Sequence, residues 1–237
     1  MIGMGTIINT LAIVAGGILG RLVGRFLNES VQDSLMKICG VSTIFIAIAG
    51  ALEGMLSIAG TGIVSGGSLL LIGCLALGTL AGELLRIEDA FERFGQWLKQ
   101  KTGNSGDAGF VNAFVTASLT VCIGAMAIVG SIEDGINGDW SILATKAVLD
   151  LIIIMVMSGS MGRGCAFSAI PVAILQGSVT ALAGLLAPVM TAAALANISM
   201  IGSVLIFCVG VNLVWGKTLK VANMLPALVL ATVAAFL

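Results

Sequence analysis

From Ser141 to Met161 the chain offers an almost wholly apolar run, roughly 20 residues that as a helix would extend about 30 Å, the thickness of a bilayer's hydrocarbon core. Lys146 and Asp150 interrupt it. Hydrocarbon supplies no hydrogen bonds, so such a stretch has to be a helix that satisfies its own backbone, and its surroundings have to accommodate two charges. The i, i+4 spacing sets both side chains on one face, close enough to neutralise each other. Two readings follow. The charges line an interior or aqueous path, or they form a structural ion pair that locks helices together and avoids the larger cost of a lone buried charge. A pair sealed in a dry contact far from any opening would sink the passage reading in so far as it rests on these two charges, and leave a helical bundle of unknown purpose.

The same apolar signature recurs along the chain. Charged residues make up only 10% and apolar residues 58%, against about 25% charged in an ordinary soluble domain, so the expected class is an all-α polytopic integral membrane protein. About eight transmembrane segments are expected, near residues 2–20, 38–56, 67–85, 110–131, 141–161, 165–187, 191–214 and 221–237. The first carries no charge and is followed by Arg21 and Arg25, which predicts a retained anchor rather than a cleaved signal. Of the eleven basic residues, all but Lys146 fall in alternate connectors, which predicts cytoplasmic connectors there and both termini outside.

The first segment sets Asn9 near Gly16, Gly20 and Gly24, whose four-residue spacing makes a smooth stripe for intrachain packing or for a homo-oligomer. Ser30 and Asp33 suggest a cap for the second helix. Between Glu83 and Lys101, Leu84, Ile87, Phe91, Phe94 and Leu98 recur in steps of three and four, which predicts an amphipathic helix lying on the inner membrane surface. Residues 102–109 read as a flexible linker. The fourth segment is expected to end in an acidic turn, SIEDGINGDW, with Glu133 and Asp134 and with Asp139 capping the fifth helix. In the sixth, Pro171 followed by Gln176 predicts a kinked or broken helix, with freed backbone groups beside a polar side chain. Asn223 and Pro226 open the short eighth segment.

Lys37 and Gly50 stand thirteen residues apart, as do Lys146 and Gly159, which suggests an inverted three-helix repeat. The expected division of this single membrane domain is 1–82 for the first three-helix unit, 83–109 for the amphipathic helix and linker, 110–187 for the second unit and 188–237 for the C-terminal helices.

The stretch SIEDGINGDWSILATKAVLD (131–150), the opening GTIINTLAIVAGGILG (5–20) and the closing NMLPAL (223–228) resemble the YqgA and YdfK family of bacterial inner-membrane proteins, a domain of unknown function. The resemblance covers essentially the whole chain. It implies a bacterial cytoplasmic-membrane protein without an established activity, a presumed transport role and a link to biofilm formation. Carried over by motif, it points to Asn9, Glu133, Asp139, Lys146, Asp150, Asn223 and Pro226.

The residues argue against several classes. There is no histidine, no cysteine pair at metal spacing, no phosphate loop and no nucleophile elbow, so neither an enzyme nor a metal or cofactor is expected. Net charge near zero gives no general attraction for nucleic acid. The expected partners are the lipid bilayer and a small solute or ion. The leading expectation is a secondary transporter or channel in which Asp150 binds a cation or proton, Lys146 pairs with it when empty, and Gln176, Asn9 and Asn223 add neutral hydrogen bonds, with Glu133, Asp139, Pro171 and Pro226 in support. The alternative is a non-transporting scaffold or sensor that acts through the amphipathic helix.

Overall fold

The computed structural model describes residues 2–24, 26–60 and 62–236, so Arg25 of the first basic connector lies outside the described residues. Helices α1 (Met4–Gly24) and α2 (Glu29–Met55) precede a short antiparallel hairpin, β1 (Leu56–Ala59) with β2 (Gly62–Ser65). Then come α3 (Ser68–Leu85), α4 (Ile87–Lys101), α5 (Phe110–Cys122), α6 (Ala125–Asn137) and α7 (Ser141–Met161). A 3-10 turn, Arg163–Ser168, leads into α8 (Ala169–Ala181) and the single turn α9 (Ala183–Leu186), followed by α10 (Ala192–Trp215) and α11 (Pro226–Val233). Among the described residues six helices are long and apolar enough to cross a membrane, α5 and α6 together offer a seventh span, and the last apolar helix, Val221–Phe236, is shorter. The protein is an all-α polytopic membrane protein, and the hairpin is its small departure from an all-helical chain.

Lipid as solvent explains which faces point outward. On α1 the exposed residues include Ile7, Leu11, Ile18 and Leu22, whereas Thr6, Asn9, Gly16, Gly17 and Gly20 are buried. A water-soluble helix sorts its faces the other way, because only in lipid does an apolar surface need no cover.

The chain packs as two compact units, one of residues 1–39 with 89–187, the other of residues 40–88 with 188–237. This grouping by packing cuts across the sequential division expected above.

In the first unit α1 runs parallel to α7. Gly16 faces the carbonyl of Leu151, Gly20 the backbone of Met155 and Gly24 that of Gly159, so each step of four on one helix meets a step of four on the other. The glycine stripe is thus used within the chain. α8 lies antiparallel to α1, with Thr6 beside Thr180 and Gly17 against Ala166 at the other end. These directions match spans one, five and six of an alternating chain. The amphipathic helix α4 packs part of its apolar face inward: Phe94 meets Phe114 of α5 edge to face at 5.8 Å, Gly95 abuts the same ring, and Leu98 is buried. The cap of α2 is Asn28, whose Oδ1 accepts the Val31 amide at 2.9 Å, rather than Ser30 with Asp33.

In the second unit the later part of α2 is antiparallel to α10, with Gly40 beside Leu213 and Gly54 beside Met200. α3 is antiparallel to α11, where Gly78 abuts Ala227.

The α1–α7 seam tolerates no side chain, so Gly20→Leu should cost about 1–3 kcal/mol through overpacking. The expected reading is a lowered melting temperature in detergent. Gly177→Ala, where nothing lies within 4 Å, should leave melting unchanged or slightly raised.

Candidate functional site

The two charges of α7 meet in the first unit. Lys146 Nζ donates to Asp150 Oδ1 at 2.8 Å and to Oδ2 at 2.6 Å, and also to the carbonyl oxygen of Val121 at 2.8 Å. Asn9 Nδ2 of α1 donates to Asp150 Oδ2 at 3.0 Å. Lys146 is 7% exposed and Asp150 3%, so the pair is sealed and every ammonium proton has an acceptor.

The Val121 carbonyl is available because the fourth apolar segment is not one straight helix. α5 stops at Cys122, and the chain bends by 62° into α6, with Gly124 at φ 145°, a conformation that L side chains rarely adopt. A carbonyl in the last turn of a helix has lost the amide four residues on and carries partial negative charge, which the lysine meets. The expected continuous span is therefore a broken one. The break falls here and not at Pro171, which sits third in α8, where a missing amide proton removes no intrahelical bond.

Two buried side chains of the first unit, Asn9 and Gln176, carry polar atoms without partners. The antiparallel register of α1 and α8, with Thr6 by Thr180 and Gly17 by Ala166, carries Asn9 to the level of Gln176. Gln176 is 1% exposed, and neither its Oε1 nor its Nε2 has a hydrogen-bond partner; Asn9 Oδ1 has none either. Buried polar groups are nearly always bonded, so three unpaired atoms at one level single out this place.

Residues 131–137, expected as a turn, are helical in α6, and this decides which acid is buried. Asp134 is fully buried and accepts the amides of Gly3 at 3.2 Å and Gly5 at 3.0 Å, so its carboxylate meets the positive end of α1. Sequence reasoning favoured Glu133, which instead accepts from Asn137 at 2.6 Å near the surface. Reading 131–137 as helix would have found Asp134, because Ser131 and Asp134 share a buried face. Asp139 accepts the Ser141 amide at 2.9 Å at the start of α7, and that bond holds its carboxyl below the usual range.

Asn223 belongs to the second unit and has its own partners there. Its Oδ1 accepts the Glu88 amide at 2.7 Å, while the Glu88 carboxylate accepts the Ala222 amide at 3.0 Å and pairs with Lys217 at 2.9 Å. Glu88 is 4% exposed, and nothing in the pattern of this amphipathic stretch singles it out from the sequence. Pro226 opens α11 as its first residue, a position suited to a residue without an amide proton.

Toward the C-terminal ends of α1 and α7 the buried positions turn apolar, with Ile13 on one helix and Ile154 and Met157 on the other, all at most 1% exposed. Beyond them opens a polar cleft of about 510 Å³, lined by Arg21, Gln32, Asn104, Asp107, Ser158 and Arg163 among others.

With this geometry in hand, comparison with known proteins adds family but not activity. A family described as "Protein of unknown function (DUF554)" matches residues 4–236. The chain is 29% identical over 232 residues to the uncharacterized membrane protein YdfK of Bacillus subtilis (strain 168), covering 98% of this chain and 95% of that one. It is 28% identical over 241 residues to the uncharacterized protein YqgA of Escherichia coli (strain K12), covering 96% and 94%. No solved structure matches it.

Removing one partner of a buried pair leaves the other charge alone, so Lys146→Met should destabilise the protein by about 3–5 kcal/mol, while Lys146→Met combined with Asp150→Leu should restore most of that loss. Chemical unfolding in detergent micelles measures both. A double variant as unstable as the single one would mean that the hydrogen bonds, and not relief of a lone charge, hold these helices.

Proposed function

We propose a function on the premise that this chain belongs to the DUF554 family, whose function is unknown: passage of a small polar solute or ion across the membrane, as a channel or secondary transporter, at the cluster of Asp150, Lys146, Asn9 and Gln176. The Lys146–Asp150 pair by itself suits a structural lock, since it is sealed and fully bonded. The observation that carries the proposal is Gln176, buried with both polar atoms unpaired at the level of Asn9 Oδ1. An unsatisfied buried group costs about 1–3 kcal/mol, and a chain that needed only packing there would do better with Leu or Met. A ligand bonded by the Gln176 amide and the Asn9 carbonyl would offset that cost.

In this reading Lys146 is the cation that occupies Asp150 when the site is shut. A proton or small cation reaching Asp150 releases the ammonium, which keeps its bond to Val121 at the helix break. Broken helices with exposed carbonyls beside a charged residue suit this exchange, because the freed backbone group holds whichever cation the carboxylate gives up. Ile13, Ile154 and Met157 form the apolar barrier between the cluster and the cleft. The rival reading, a scaffold acting through α4, has less support, since Phe94, Gly95 and Leu98 are engaged inside the unit. The same proposal keeps the protein in a bacterial cytoplasmic membrane with both termini outside, as its basic connectors suggest.

The test is ion flux in liposomes containing the purified protein and a pH-sensitive dye, with proton, sodium and potassium gradients imposed in turn. Asp150→Asn leaves the Lys146 ammonium without its counter-charge and should lower the melting temperature, and in the folded, reconstituted fraction it should reduce wild-type flux at least tenfold. Gln176→Leu should reduce flux as strongly but raise the melting temperature, because it removes two unsatisfied atoms. Wild-type flux no greater than that of empty liposomes for all three ions and for small polar solutes would overturn the proposal.

A further inference from the structure

Two cavities of the first unit share the same pair of side chains. The polar cleft of about 510 Å³ at the ends of α1 and α7 is lined by Arg21 and Arg163. A separate groove of about 340 Å³ is lined by Gly17, Ile18, Leu22, Ala166 and Phe167, and again by Arg21 and Arg163. Both arginines therefore border a polar chamber and an apolar groove at once. The groove opens on the lipid-facing side, since Ile18 and Leu22 belong to the exposed apolar stripe of α1.

Several polar groups at this seam already have partners. The Gln32 Nε2 donates to the carbonyl of Gly24 at the end of α1 at 3.1 Å and to that of Leu27 just beyond it at 2.9 Å. Ser158 and Ser160 turn their hydroxyl protons to backbone carbonyls. Arg163 uses one N–H on Asn104 Oδ1 at 3.3 Å, and Arg21 Nε is buried without a partner. Among the described residues the one carboxylate in the lining is Asp107, which accepts the Gly109 amide at 3.1 Å. Two arginines against one carboxylate there favour a further anion. A planar fork of donors fits a phosphate with two parallel bonds.

We infer that this seam binds an anionic phospholipid, with the headgroup phosphate between Arg21 and Arg163 and an acyl chain along the groove of Ile18, Leu22 and Phe167. A soluble phosphate would engage the polar chamber alone, whereas an amphiphile uses both cavities at once, and only the amphiphile accounts for the arginines lining each. Basic pockets between helices at the cytoplasmic face suit such headgroups, and the arginines lie in connectors expected on that side. The inference does not depend on whether the buried Asp150 cluster conducts anything.

The test is native mass spectrometry of the purified full chain in mild detergent, titrated with phosphatidylglycerol, with phosphatidylcholine and with inorganic phosphate. Phosphatidylglycerol should bind at least tenfold more tightly than phosphatidylcholine, and millimolar inorganic phosphate should not displace it. Arg21→Gln with Arg163→Gln should remove that preference, and Arg21→Lys with Arg163→Lys should keep only part of it, because an ammonium does not reproduce the fork. Phe167→Ser should weaken the lipid without creating a phosphate site. Equal retention of the two lipids by the wild type, or displacement by inorganic phosphate, would overturn the inference without any variant having to fold.

Discussion

The close approach of two parallel helix backbones, α1 and α7, is the contact on which the first unit depends. Gly16, Gly20 and Gly24 remove every side chain that would hold the helices apart, and each faces backbone of the neighbour. In lipid there is little hydrophobic gain from burying one apolar helix against another, so close packing and hydrogen bonds have to supply the attraction. That seam has a chemical consequence beyond stability. With the backbones in contact, Asn9 reaches Asp150 across the interface at 3.0 Å, and Ser158 Oγ donates to the Gly17 carbonyl at 2.9 Å. Charge burial thus rests on glycine spacing.

A second constraint is the accounting of backbone groups at membrane depth. At two helix ends of the first unit a side chain takes a freed backbone group. Lys146 takes the Val121 carbonyl at the end of α5, and Asp134 takes the Gly3 and Gly5 amides at the start of α1. The second unit uses the same device with Glu88 and Asn223, each accepting an amide next to the other. Against these bonded groups Asn9 Oδ1, the Gln176 amide and the Arg21 Nε stand out among the described residues as buried and unpaired. Gln176 and Arg21 differ in kind. Gln176 is neutral, deep and enclosed, which suits a small polar solute or ion, whereas Arg21 is charged and borders lipid, which suits a phosphate with chains attached.

Individual residues show where reading the sequence reached its limit. The i, i+4 spacing of Lys146 and Asp150 placed them together correctly, because local helical geometry alone fixes that distance. Asn9 and Gln176 were picked out as polar residues in apolar runs, and their common level follows only from the antiparallel packing of α8 on α1. Pro171 misled, since proline in the first turn of a helix does not bend it, and the true break was carried by Gly124, one glycine among 32. The family resemblance points to Glu133 and not to Asp134, and with 131–137 taken for a turn there is no helical phase to show that Asp134, one position on, is the fully buried acid while Glu133 is half-buried.

By itself the amino-acid sequence determined that this chain lives in a membrane, which stretches become apolar helices, and that one of them carries a self-neutralising pair. These are properties of local composition and of a fixed rise per residue, and they need no knowledge of neighbours. Tertiary structure alone decided that α5 breaks to give Lys146 a carbonyl, that Gln176 is left without partners, and that Arg21 and Arg163 share the seam of two cavities. Those facts depend on which helix faces which, and in a bilayer the apolar pattern that marks a span says little about its neighbours, because lipid and protein cover it almost equally well.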